Sequence, residues 1–187
     1  MNPIKHIPNS ITCLNLICGS ISIIYAFNGD FSSAFIMMLM AAVMDFFDGF
    51  AARLLKAYSE IGKELDSLAD VISFGLAPSL ILFNYLSYSE TLPQWAMYIP
   101  LLIAPFSALR LAKFNLDTRQ TSSFIGLPTP ANGLFIGALI SYAAGHNEGL
   151  NYALQNSWTL PIISVALSFA LVCEVPMFSL KLKSVRW

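Results

Sequence analysis

The feature that most constrains this chain is a succession of apolar stretches separated by short polar turns. They lie at about 10–28, 31–56, 64–87, 94–117, 128–146 and 158–180. A helix of about 20 apolar residues matches the roughly 30 Å hydrocarbon thickness of a bilayer. Every backbone polar group in lipid must be satisfied internally, so such stretches are helical. The expectation is an all-α integral membrane protein of six transmembrane helices, which would use nearly all of the 187 residues. No linker, low-complexity segment or internal repeat interrupts the series, so residues 1–187 read as a single membrane domain. Charged residues make up only 11% of the chain, against about 25% in soluble domains, which excludes an ordinary soluble fold. Nothing in the sequence points to a nucleic-acid partner.

The charges set an orientation. Lys5, Arg53, Lys56, Lys63, Arg110, Lys113, Arg119, Lys181, Lys183 and Arg186 all fall at one set of span ends. The opposite connections, Gly29-Asp30, Ser89-Glu90 and the stretch Gly145–Ser157, carry only Asp30, Glu90 and Glu148. By the positive-inside rule the basic ends are cytoplasmic, and an even number of spans places both termini there. Trp95, Tyr98, Tyr152 and Trp158 lie near span ends, where interfacial aromatics belong. Lys5 precedes an apolar run that lacks a small-residue cleavage site, so this run reads as a retained first span. Cys13, Cys18 and Cys173 lie in apolar runs and read as buried thiols without a disulfide framework.

Into the second and third spans the sequence places four carboxylates: Asp45, Asp48, Asp66 and Asp70. An acid at membrane depth costs roughly 2.5–3.5 kcal/mol, so four together call for a positive ligand. At about 100° per residue Asp45 and Asp48 share one helix face, followed by Gly49 and Ala52. Asp66 and Asp70 stack one turn apart, with Gly62 a turn earlier. An antiparallel hairpin joined near Ala57–Ile61 brings the two pairs together, and the small residues permit close approach or leave room for a ligand. Hard carboxylate oxygens suit Mg²⁺ or Mn²⁺, and Arg53 adds a fixed cation for a phosphate. Two other readings exist: structural polar residues at a helix interface, and a membrane cation transporter. The first leaves each acid without a basic partner. The second lacks complementary acids in the outward half of the other spans. Glu174 reads as a structural acid, either paired with Arg110 or Lys113 or lying at the inner interface.

The string Asp45-x-x-Asp48-Gly49-x-x-Ala52-Arg53, eight residues, Gly62-x-x-x-Asp66-x-x-x-Asp70 resembles the signature of the CDP-alcohol phosphatidyltransferase family at every motif position. The resemblance implies a six-helix membrane enzyme, usually a homodimer, that transfers a phosphatidyl group from a CDP-linked lipid to an alcohol and releases CMP. It implies that Asp45, Asp48, Asp66 and Asp70 hold the divalent metal and that Asp70 is also the general base. Gly49, Arg53 and Ser59 would contact the CDP portion. Ile7-Pro8-Asn9-Ser10, followed by Thr12, resembles the family's nucleotide-lining opening, although read alone it is a helix start.

Three further strings bear on the acceptor: Ser73-Phe74-Gly75-Leu76-Ala77-Pro78, Arg110-Leu111-Ala112-Lys113-Phe114-Asn115 and Gly126-Leu127-Pro128-Thr129-Pro130. With Pro176-Met177-Phe178-Ser179 they resemble the phosphatidylserine synthase branch of that family. The implied substrates are CDP-diacylglycerol and L-serine, within a cell inner or cytoplasmic membrane and with the active site facing the cytoplasm. Arg110, Lys113 and Asn115 are the candidate serine-holding residues. Arg110 and Lys113 also read as inner-interface cations that neutralise lipid phosphates. The Gly126–Pro130 string reads as a helix-entry turn or as a loop closing over the site. Another branch, using glycerol 3-phosphate or inositol phosphate, is the nearest alternative, and such dianionic acceptors would favour a denser basic pocket. His6 and His146 lie outside the motif, and no covalent nucleophile is evident, so direct transfer is expected.

Overall fold

The computed structural model describes residues 6–116, 124–146, 148–173 and 176–177. Lys5, Arg119, Glu174, Phe178, Ser179, Lys181, Lys183 and Arg186 lie outside the described residues, and with them the expected pairing of Glu174.

The described chain is almost wholly helical: α1 His6–Phe27, α2 Phe31–Leu54, α3 Glu60–Asp70, α4 Ala77–Ser87, α5 Ile103–Leu116, α6 Thr129–His146, α7 Glu148–Gln155 and α8 Thr159–Val172. A π-helical segment, Val71–Leu76, joins α3 to α4, and a 3₁₀ segment, Gln94–Leu102, leads into α5. The one sheet element among these residues is a two-residue antiparallel pair, β1 Phe124–Ile125 with β2 Pro176–Met177.

Among the described residues four segments are long and apolar enough to cross a membrane: His6–Phe27, Phe31–Leu54, Glu60–Ser87 and Gln94–Leu116. Counting α7 and α8 as one span bent by 70° gives five. The sequence had suggested six. The difference lies in the last two stretches. Pro130, Asn132 and Gly133 dilute the start of α6, and the stretch expected at 158–180 continues past α8 into residues outside those described.

The face that α1 buries is inverted relative to a helix of a soluble bundle. On α1 the buried face is Pro8, Thr12, Asn15, Gly19, Ser22 and Ala26, whereas Leu14, Ile17, Ile24 and Phe27 point outward. Small and polar residues let helices approach and bond in lipid, where apolar burial supplies no contrast. Ser22 Oγ accordingly donates to the Ala34 carbonyl of α2 at 2.8 Å. A Cβ on Gly19 would lie 2.8 Å from Ser73 Cα, so α1 meets the π segment backbone to backbone.

Pro78 accounts for the π segment. A proline cannot donate to the carbonyl four residues back and crowds it, here that of Phe74. The ladder widens, and Ala77 N–H bonds to the Ile72 carbonyl five residues back. Gly133 of α6 fits against the Phe74 backbone, where a Cβ would sit 2.9 Å from its carbonyl oxygen.

The two ends of the bundle differ in charge. At one end Lys63 Nζ bonds the Asn115 carbonyl at 3.2 Å, joining the start of α3 to the end of α5. At the other end Asp30 caps α2 by accepting from Ser33 N–H at 2.9 Å. Hydrogen bonds from the Ser33 side chain and backbone hold the exposed Asp30 carboxyl below its ordinary range. Glu90 N–H bonds Asn156 Oδ1 at 2.9 Å, and Trp95 lies 5.4 Å from Trp158 at this same end.

Candidate active site

Two helix ends and the turn between them create the site. The α2 C-terminus closes with Ala57 N–H bonded to the Ala52 carbonyl, across Lys56 at φ 50°. This left-handed closure reverses the chain within a few residues. Ser59 then caps α3, accepting from Gly62 N–H at 3.0 Å. The α2 acids and the α3 acids are thereby brought face to face.

One oxygen each from Asp45, Asp48 and Asp66 lies within 4.8 Å of the others. Asp48 is buried, the other two are half-buried, and Asp66 Oδ1 is a buried oxygen without a partner. Three hard oxygen donors converging without a cationic partner among the described residues fit a divalent ion. Asp70 stands outside this trio but beside it, buried and within hydrogen-bonding reach of Asp45. Asn15 Nδ2 donates to Asp70 Oδ1 at 3.3 Å, and Thr12 Oγ1 donates to Asp48 Oδ2 at 2.6 Å.

A cavity of about 530 Å³ opens from Asp48 and Asp66 of the trio. Pro8, Asn9, Asp48, Gly49, Ser59 and Asp66 from the sequence-derived set line it, as do Thr12, Ala52, Tyr58, Glu60, Gly62 and Lys63. Gly49 faces open space: the nearest atom to an added Cβ would be Arg53 Nη2 at 4.0 Å. Gly62 is the reverse, since a Cβ there would lie 2.9 Å from both Asn9 Oδ1 and Ser59 Oγ. Ile7, Ser10 and Arg53 are exposed and do not line the cavity. Ser10 Oγ instead donates to the His6 carbonyl and Arg53 Nε to the Gly49 carbonyl.

The three residues proposed for serine do not converge. Arg110 is half-buried, close enough to Asp70 to interact with its charge, and donates to Thr129 Oγ1 at 3.1 Å. Lys113 is exposed. Asn115 is taken up by the α3–α5 contact, its Nδ2 donating to Ser67 Oγ at 2.9 Å. The Gly126–Pro130 string is a helix-entry turn: Leu127 N–H bonds the Ala170 carbonyl of α8, and Pro128 supplies the first α6 acceptor.

Asn15 was missed in the sequence, and Thr12 had been noted only as part of a string. Both belong to the small, polar stripe of α1, which recurs every three or four residues and could have exposed them.

A model of the CDP-alcohol phosphatidyltransferase family matches residues 5–174. A Bacillus subtilis protein named CDP-diacylglycerol--serine O-phosphatidyltransferase is 33% identical, covering 98% of this chain and 99% of that protein. A Helicobacter pylori protein of the same name is 39% identical over 73% of this chain and 57% of its own length. An archaetidylserine synthase of Methanothermobacter thermautotrophicus is 31% identical over 90% of this chain and 68% of that one. The chain thus spans the length of the first relative and somewhat over half of the second.

Proposed function

This chain belongs to the CDP-alcohol phosphatidyltransferase family, and we propose that it transfers a phosphatidyl group from CDP-diacylglycerol to L-serine, releasing CMP. The observation that carries this reading is the Asp45–Asp48–Asp66 trio, of which Asp48 and Asp66 line the cavity, with Asp70 beside it. The three relatives share serine in their names, which supports serine as the acceptor.

Asp45, Asp48 and Asp66, joined by Asp70, would hold Mg²⁺ or Mn²⁺, which supplies charge neutralisation for the pyrophosphate and the departing CMP. The chain's own residues do the rest. Gly49 lets the nucleotide diphosphate approach the α2 backbone. Asn9 and Ser59 offer polar atoms at the cavity wall, and Arg53, at its rim, is placed to swing onto a phosphate. Thr12 orients Asp48, and Asn15 orients Asp70. Asp70 takes the proton from the serine hydroxyl as that oxygen bonds to the lipid-linked phosphorus. The phosphorus–oxygen bond to CMP breaks, and CMP leaves with the electron pair. No side chain is needed as a covalent carrier, so both substrates bind together.

Among the candidate serine residues, Arg110 is supported by its proximity to Asp70, whereas Lys113 is exposed and Asn115 is bonded to Ser67. A dianionic acceptor such as glycerol 3-phosphate calls for more cations near Asp70 than Arg110, the one that interacts with it among the described residues, supplies. We further read the chain as a single domain with six spans, α6 and the bent α7–α8 pair included. Both termini and the cavity would lie on the cytoplasmic side, in keeping with the basic residues at that end. A homodimer accords with the family resemblance.

The test uses purified protein in detergent with CDP-diacylglycerol and labelled serine. Label should enter the lipid fraction in the presence of Mg²⁺ or Mn²⁺. EDTA should abolish it, and added metal should restore it. Full incorporation after metal removal would refute the role given to the acids.

A further inference from the structure

Among the described residues six buried side-chain polar atoms have no hydrogen-bond partner. Two, on Asp66 and Asn15, belong to the carboxylate site. The other four are Ser107 Oγ, Arg110 Nε, and both Nδ2 and Oδ1 of Asn132. Buried polar groups are ordinarily paired, and a fully buried carboxamide with neither atom bonded is a rare exception. Asn132 is 1% exposed and Ser107 0%.

The helix geometry gathers these groups. Gly133 of α6 faces Phe74, and Gly137 faces Phe35 and Met38 of α2. At about 100° per residue Gly137 lies roughly 40° to one side of Gly133, and Thr129 roughly 40° to the other. Thr129 is the residue bound by Arg110 of α5. Asn132 falls about 60° further round on that same α5 flank, one turn deeper than Thr129. Ser107 lies one turn deeper than Arg110 on α5 and abuts Gly75, where an added Cβ would be 2.9 Å from Ser107 Cβ. Ser107, Arg110 and Asn132 thus occupy adjacent turns at the junction of α5, α6 and the π segment that follows Asp70.

We propose that this junction is the acceptor subsite, and that Asn132, with Ser107, reads the amino-acid end of the acceptor held by Arg110. The inference rests on the serine-transfer reading and adds to it residues of α5 and α6 outside the family signature. The inventory matches an α-amino acid. A guanidinium takes the carboxylate. A carboxamide oxygen and a hydroxyl accept from the ammonium. The carboxamide N–H₂ donates to the second carboxylate oxygen. The serine hydroxyl then points toward Asp70, whose charge Arg110 already meets. A site built to hydrogen-bond a substrate group rejects an analogue that lacks it.

The experiment measures CMP release from CDP-diacylglycerol by the purified, metal-loaded protein, wild type and Asn132→Leu, with serine and with 3-hydroxypropanoate, which lacks the ammonium. Ser107→Ala is run in parallel as a smaller change that keeps the core filled. For Asn132→Leu the KM for serine should rise about tenfold or more, with the KM for CDP-diacylglycerol unchanged within about twofold. Ser107→Ala should raise the serine KM about threefold. In both variants the preference for serine over 3-hydroxypropanoate should narrow, a change that misfolding or general loosening does not produce. Wild-type protein active with serine, together with variants whose serine KM and preference match it, overturns this subsite alone. Wild-type protein that releases CMP only with another acceptor overturns the serine reading itself, and this subsite with it.

Discussion

Two glycines of the signature make opposite demands, and substitution separates them. Gly49→Ala adds a methyl group to open cavity space, so the protein should fold normally and lose affinity for the CDP-lipid. Gly62→Ala drives a Cβ against Asn9 and the Ser59 cap, so it should lower thermal stability as well as binding. Overpacking of this kind costs typically 1–3 kcal/mol. Melting temperature and CMP binding, measured on both variants, check the contrast. Asp70→Asn keeps the shape and the Asn15 contact but removes the proton acceptor, so turnover should fall about 10²-fold or more while CDP-lipid binding is partly retained. Near-normal turnover would remove Asp70 from the base role. The acids were legible in the sequence because helical spacing alone puts each pair on one face. The groups that orient them were not. Thr12 and Asn15 lie dozens of residues away in the chain, and only the packing of α1 on α2 and α3 brings them to Asp48 and Asp70.

At the scale of elements, the break after Asp70 matters most. The string from Ser73 to Pro78 was read as a family mark, and its physical content is a π segment forced by Pro78 and clamped by Gly19, Ser107 and Gly133. A π turn is not visible in hydrophobic periodicity, because the apolar pattern continues through it. Gly133→Ala presses a Cβ onto the Phe74 backbone, and a backbone neighbour yields less than a side chain. We expect a loss of about 1–3 kcal/mol together with reduced turnover, since Asp70 is the residue just before the segment. Denaturation midpoints and kcat on one preparation test both parts. The α2–α3 turn gives a prediction of opposite sign. Lys56 holds φ 50°, a left-handed conformation that costs a side-chain-bearing residue about 1 kcal/mol. Lys56→Gly should therefore raise stability slightly without changing turnover.

The whole molecule follows from apolar run lengths and from where the charges fall. Run length identified the first four spans closely. It did not show that α7 and α8 meet at 70°, because a bend made by tertiary packing leaves no mark in average hydropathy. The orientation is testable directly. In a cysteine-free background, a cysteine at Lys63 should react with a membrane-impermeant maleimide only after the cytoplasmic face is opened, and one at Asp30 should react in intact cells. The reverse pattern would invert the orientation and move the cavity to the outer face. The claim on which the rest depends is the acceptor. Its most direct measurement is the initial rate of CMP release from CDP-diacylglycerol with Mg²⁺ or Mn²⁺ present, taken in turn with L-serine, glycerol 3-phosphate and inositol phosphate. The account predicts release with serine and little above background with the two phosphates. Release with either phosphate but not with serine would contradict it.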